Sequence, residues 1–208
     1  MSEYYIPAGT GESEYVEKRS SFLGHVRPVE TEEEAKAFVA EMKKKFYDAR
    51  HNCWCYIIKD GAVRYSDDGE PQGTAGIPML EVLKREKIEN VVCVVTRYFG
   101  GVLLGTGGLL RAYTKSAKDA LDAAGVSVVR RWIEADIECS YSLLERIKTE
   151  CEGFSGLVSD VEYGANVVLK TLLPEEKAEE FSIRLRDITA GSCKLDKTGE
   201  AFRPVRIK

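Results

Sequence analysis

The residues best suited to chemistry in this chain lie between Val91 and Lys118. That stretch carries Arg97, Arg111, Lys115 and Lys118 and no acidic residue, within a chain of 208 residues and net charge −4. It also holds five glycines: Gly100, Gly101, Gly105, Gly107 and Gly108. Glycine lets a ligand approach the main chain closely. The start of a helix offers unpaired N–H groups that favour anions. The pattern predicts a loop from a buried strand into a helix, able to hold a phosphate or carboxylate. Arg111, Lys115 and Lys118 fall at i, i+4 and i+7, on one helical face. Tyr98 and Phe99 are placed to stack on a base or to pack against a partner. The same glycines would also serve a tight turn, and the two rings a core. The spacing is neither the Walker A pattern nor the dinucleotide fingerprint.

A second group is the loop Asp67-Asp68-Gly69-Glu70-Pro71. Asp67, Asp68 and Glu70 are hard oxygen donors of the kind Mg²⁺ prefers. The competing reading is a solvated turn, with Thr74 capping the next helix. His51, Cys53 and Cys55 alternate along one strand face. Residues two apart on a strand lie about 6.5–7 Å apart, wide for one zinc ion, so a buried strand face is expected. His25 has no evident partner and is read as structural. No Gly-x-Ser-x-Gly or His-Glu-x-x-His motif is present, so hydrolase chemistry has no handle.

These candidates need a scaffold. Residues 13–29 read as two strands around a turn near Ser20-Ser21. Thr31 opens a helix with a capping box. Strands follow near 51–59 and 62–66, then a helix near 75–87. Val91 to Val95 is a continuous apolar run, as in a strand buried on both faces. A long helix from about 106 to 124 stops at Gly125. In the second half, Ile133, Ala135, Ile137 and Cys139 alternate with acids, as in a half-buried strand. Ser142 to Glu145 reads as another capping box and opens a helix to about 152. Strands near 156–163 and 166–173, a helix after Pro174 and a last strand near 192–198 complete the order β-α-β-β-α-β. That is the ferredoxin-like arrangement. The fold class is therefore α+β in two domains, 1–127 and 128–208.

Hydrophobic residues make up 44% and charged residues 31%, enough to build real cores. No apolar run reaches the roughly 20 residues that cross a bilayer. The N-terminus lacks a signal-peptide layout, so a cytoplasmic protein with no membrane partner is expected. Six cysteines in such a chain are read as reduced, buried thiols with no disulfide-linked partner.

The stretch from Gly76-Ile77-Pro78-Met79-Leu80 through Val91–Val95 to Arg97-Tyr98-Phe99-Gly100-Gly101-Val102-Leu103-Leu104-Gly105 resembles the signature of the IMPACT family. Asp67-Asp68-Gly69-Glu70-Pro71 and Gly107-Gly108-Leu109-Leu110-Arg111-Ala112-Tyr113 resemble further motifs of that family. The likeness spans nearly the whole chain and matches the two-domain bacterial form called YigZ-like. It implies an N-terminal domain with the ribosomal protein S-five second-domain fold. The C-terminal domain would be ferredoxin-like, similar to one in elongation factor G. Eukaryotic relatives regulate translation during amino-acid starvation by competing for a kinase activator, a partner not carried over to a bacterial form. A proline-dipeptidase label on some relatives finds no metallopeptidase ligand set here. The expectation is a non-enzymatic regulatory protein that meets RNA, the ribosome or a translation-associated protein and needs no cofactor. Its contact would centre on Arg97, Tyr98, Phe99, the five glycines, Arg111 and Lys115. The alternatives are a Mg²⁺-dependent enzyme on a phosphorylated small molecule, and a protein–protein module using the sheet of the C-terminal domain.

Overall fold

The computed structural model describes residues 3–208; of these, residues 3–129 and 204–208 form one compact unit and residues 130–203 another. The first unit contains β1 (Tyr4–Pro7), β2 (Gly11–Glu17), β3 (Ser20–Pro28), α1 (Glu32–Lys45), β4 (His51–Ile57), β5 (Val63–Ser66), α2 (Gly76–Arg85), β6 (Val91–Tyr98) and α3 (Gly105–Ala124). A long strand, β7 (Val126–Cys139), gives its first four residues to this unit and the remainder to the second. The second unit adds α4 (Leu144–Gly153), β8 (Leu157–Tyr163), β9 (Val167–Pro174), α5 (Glu175–Ile188) and most of β10 (Asp196–Arg206).

In the first unit an antiparallel sheet runs β2-β3-β6-β4-β5. The apolar run of β6 is explained by its central place. Val92 and Val94 pack under Phe38, Val39 and Met42 of α1 on one face. Val91, Cys93 and Val95 pack under α2 and α3 on the other, against residues such as Met79, Leu83 and Leu121. Burying each such side chain contributes about 1.5–3 kcal/mol. Thr31 caps α1 through its Oγ1, which accepts the Glu34 N–H at 3.2 Å. The Glu34 carboxylate reaches back to the Glu30 N–H at 2.7 Å. Gly125 ends α3 with φ 73°, a left-handed value glycine adopts freely.

In the second unit the strand order is β10-β7-β9-β8. One face packs Ile137, Leu169 and Leu173 against Ile147 and Cys151 of α4 and Phe181 and Leu185 of α5. The register sets Glu134, Asp136 and Glu138 beside Leu172, Lys170 and Val168, with Asp160 and Glu162 next in line on that outer face. Asp136 and Asp160 therefore flank Lys170, and Glu162 pairs with it.

Several elements differ from their expected form. The β2–β3 turn is Lys18-Arg19, with φ 44° and 66°, immediately before the Ser20-Ser21 pair. No pattern announced β1, which pairs Tyr4 to Pro7 with Val129 to Val126. The strand expected from 133 begins at Val126, because its early residues are buried on both sides and do not alternate. Ser142 does not cap α4: its hydroxyl engages Ser140 Oγ at 2.9 Å, and the N-cap is Leu143 without a side-chain bond. His25 is buried, stacked on Phe46 at 5.2 Å and 3.5 Å from Glu12. All six cysteines are free and buried. Among the described residues no helix is long and apolar enough to cross a membrane.

Candidate functional site

Strand register builds the inner layer of the site. Phe22 on β3, Arg97 on β6 and His51 on β4 stand opposite one another and share one sheet face. Arg97 is only 5% exposed. Its Nη1 lies 2.7 Å from Glu70 Oε1 and its Nη2 3.4 Å from Ser20 Oγ. The guanidinium sits between the Phe22 ring at 5.4 Å and the Phe99 ring at 5.6 Å. Glu70 also accepts the Tyr113 hydroxyl at 2.8 Å, and His51 Nε2 stands 3.9 Å from its other oxygen. Arg97 therefore faces inward and spends its charge on Glu70. Burial, then the neighbouring Cys53 and Glu70, holds the Tyr113 phenol far above its ordinary value. Burial does the same to the Cys53 thiol. Both groups stay protonated at neutral pH, so neither is an activated nucleophile.

The aspartates of the 67–70 loop are also occupied. Asp67 accepts N–H bonds from Gly73 at 2.8 Å, Ala75 at 3.1 Å and Gly76 at 2.8 Å. It is Asp67, and not the expected Thr74, that closes the start of α2; Thr74 Oγ1 instead donates to the Pro71 carbonyl at 2.7 Å. Asp68 takes Lys43 Nζ at 2.6 Å and the Asn52 N–H at 2.7 Å. The three carboxylates weighed as Mg²⁺ donors thus point to separate partners. Among the described residues no group of three or more His, Cys, Asp and Glu is arranged to hold a metal ion. The loop positions α2 and anchors Arg97.

The outer layer is the 99–107 segment. Gly100 presses on the β2–β3 turn: a Cβ there would lie 2.0 Å from the Arg19 carbonyl carbon. Its N–H donates to Ser20 Oγ at 3.1 Å. Beyond it, Gly101, Val102, Leu103, Gly105, Thr106 and Gly107 are exposed, and Gly108 is half-buried. Gly101 and Gly105 have φ 85° and 71°, values that side chains resist. The first turn of α3 holds no acid, and its N-cap, Leu104, makes no side-chain bond. The first turn of this helix thus starts without a side-chain cap, at residues 105–107 that are exposed. Phe99 is 42% exposed with the Arg50 guanidinium 5.9 Å from its ring centre. Tyr98 instead ties its hydroxyl to Asp48 at 2.8 Å.

Charge in space differs from charge along the chain. Lys115 pairs with Asp119 at 2.8 Å, and Lys118 with Asp122 at 2.7 Å and Glu86 at 3.2 Å. Arg97 pairs with Glu70. Of the four cations read from the acid-free stretch, only Arg111 is exposed with no ion pair among the described residues. Other elements bring replacements: Lys18 and Arg19 from the turn beside Gly100, and Arg50 over Phe99, all exposed. Sequence reasoning missed these three, as well as Ser20, His51 and Tyr113 as parts of the inner layer. The available signals were Tyr113, which closes the Gly107–Tyr113 motif, and His51, weighed only as a zinc ligand.

Fold and site together describe a mixed α+β protein of two units with one open, glycine-rich strand-to-helix junction. Residues 18–121 match the family described as Impact N-terminal domain, and residues 137–192 match a domain of unknown function, DUF1949. The chain is 38% identical to IMPACT family member YvyE of Bacillus subtilis, over 96% of this chain and 93% of that protein. It is 36% identical to IMPACT family member YigZ of Escherichia coli, over 94% and 98%. Protein IMPACT of Mus musculus is 35% identical over 43% of this chain and 30% of that protein. A solved structure described as that of a hypothetical protein aligns with a TM-score of 0.60 at 35% identity, covering 96% of this chain and 98% of the other. The chain belongs to the IMPACT family.

Proposed function

We propose that this protein is a non-enzymatic, RNA-contacting regulator of translation, with its contact surface at the junction of β6 and α3. We read the first unit as the S-five second-domain fold and the second as ferredoxin-like, folds that recur in proteins touching RNA, though fold alone fixes no function. One observation carries the proposal. The start of α3, without a side-chain cap, lies near half-exposed Phe99 and the exposed cations Lys18, Arg19, Arg50 and Arg111, none of which has an ion pair among the described residues. Open N–H groups and cations suit phosphates, and an exposed ring suits an unstacked base. The outer sheet face of the second unit, where Asp136, Asp160 and Glu162 gather at Lys170, suits RNA less well. Arg97, Gly100 and Tyr98 support this surface from beneath, Lys115 edges it, and Arg111 with the open glycines would meet the ligand.

Filter binding of structured and single-stranded RNA across a salt series tests this reading. Four phosphate contacts give a slope of log affinity against log salt near about −3 on single strands, and Arg111→Ala or Arg50→Ala lowers its magnitude by about 0.7. A flat salt dependence, or no binding at low salt, refutes it. The apolar tip, with Leu103 82% exposed and Val102 and Leu110 beside it, supports a second reading in which a ribosome-associated protein is met at the same junction. A complex that survives nuclease and high salt would favour that partner.

A further inference from the structure

The sheet of the first unit ends at an uncovered strand. Among the described residues β5 pairs with β4 alone. Ile58 N–H donates to the Ala62 carbonyl at 3.0 Å, which fixes the phase of the ladder. Arg64 and Ser66 then bond inward to Tyr56 and Trp54, while Val63 and Tyr65 turn their N–H and C=O groups away from the sheet. Consistent with that phase, Arg64 Nη1 covers the outward Val63 carbonyl at 3.0 Å. An edge of this kind is a template for another strand.

The side chains specify what could be added. Val63 and Tyr65 stand opposite Ile57 and Cys55, residues of the core beneath α2 and α3. They extend that apolar face into solvent, at 39% and 46% exposure. Val63 also lines a cavity of about 550 Å³ together with Tyr4, Tyr5, Ile57, Ile88 and Lys87. Two acids, Glu3 and Glu89, stand among its walls with Lys84 and Lys87, and Glu89 is engaged by Lys59 at 3.4 Å. Arg64, between Val63 and Tyr65, points to the opposite face, is exposed, and has no ion pair among the described residues.

We propose that β5 is a docking edge for an extended segment of a partner protein with an apolar–acidic–apolar pattern. The segment adds as a strand beside β5 and bonds the outward groups of Val63 and Tyr65. Its two apolar side chains lie beside Val63 and Tyr65, the one at Val63 entering the cavity. Its acidic residue lies on the other face beside Arg64, displacing that guanidinium from the Val63 carbonyl. A second copy of this chain fits less well, since a symmetric antiparallel β5 pair centred on Arg64 sets two like charges directly opposite. The site shares no residue with the RNA surface and does not depend on it.

The test uses the full chain and fluorescein-labelled synthetic peptides followed by anisotropy. The reference peptide is Ser-Thr-Leu-Glu-Ile-Thr-Ser. One control scrambles its order and another replaces Glu by Lys. Saturable binding is expected, at least about tenfold weaker for both controls, with hydrogen exchange of the Val63 and Tyr65 amides slowed in the complex. Val63→Pro removes an outward N–H that the fold does not use and should weaken binding at least about tenfold. Arg64→Glu, an exposed change that leaves folding intact, should invert the preference from the Glu to the Lys peptide. Equal affinity for all three peptides, or exchange at Val63 and Tyr65 unchanged on binding, overturns the proposal. Sedimentation showing a dimer that Val63→Pro dissolves also overturns it, in favour of self-pairing.

Discussion

Arg97→Ala removes the cation that lies 2.7 Å from Glu70, in a pair whose side chains are 6% and 3% exposed. Glu70 would be left in the core with the Tyr113 hydroxyl and, at 3.9 Å, His51. Breaking a buried pair by deleting one partner costs about 3–5 kcal/mol, because the remaining charge stays desolvated. With a urea slope of about 2 kcal/mol per molar, the midpoint for the first unit falls by about 2 M. The chain has two tryptophans, Trp54 in the first unit and Trp132 in the second, so Trp132→Phe leaves a fluorescence reporter for the first unit alone. Replacing both partners, Arg97→Met with Glu70→Leu, should recover most of the loss, since apolar isosteres of a buried pair are often neutral. RNA affinity at equal folded fraction should be little changed in that double variant. A midpoint drop below about 0.5 M in Arg97→Ala, together with a tenfold loss of RNA binding, would show the opposite arrangement: a contact residue whose pairing matters little for stability.

Gly100→Ala drives a Cβ into the Arg19 main chain, which cannot swing aside as a side chain could, and should cost more than about 2 kcal/mol in urea melts. By contrast Gly107→Ala meets only Arg111 Nη1 at 3.7 Å, and should raise stability by up to about 1 kcal/mol through helix propensity. Asp67→Ala exposes three main-chain donors at the start of α2; a loss near about 2 kcal/mol is expected, and calorimetric titration of the wild type with Mg²⁺ should show no heat that this change abolishes. Burial lowers the pKa of His25, against the pull of Glu12 and with a smaller push from Lys45. The folded state therefore binds fewer protons than the unfolded one, and stability falls as pH drops below about 6.5. Urea midpoints between pH 8 and 5 should decline for the wild type and flatten at that step in His25→Phe; parallel slopes would refute the assignment.

The elements with strong local signals were legible in the residues themselves. The Val91–Val95 run announced a strand covered on both faces, and α1 and α2 cover it as expected from five consecutive apolar side chains. Thr31 with Glu34, and Gly125 at the end of α3, act within a few residues of themselves, so spacing alone revealed them. β1 escaped because four residues carry no usable period, and Ser142 misled because a hydroxyl chooses its partner from whatever lies nearest in space.

Composition and order in the chain determined that the glycine-rich stretch links a buried strand to a helix and carries no acid. Which of its cations remain free was decided only by the fold. Coulomb interactions depend on distance through space, and the folded chain brings Glu70 to Arg97 across 27 positions and Glu86 to Lys118 across more than that. It also places Arg19 and Arg50 beside the same loop from two other elements. A linear pattern can specify secondary structure because those forces are local; the charge of a surface is a sum over residues that only the tertiary structure makes neighbours.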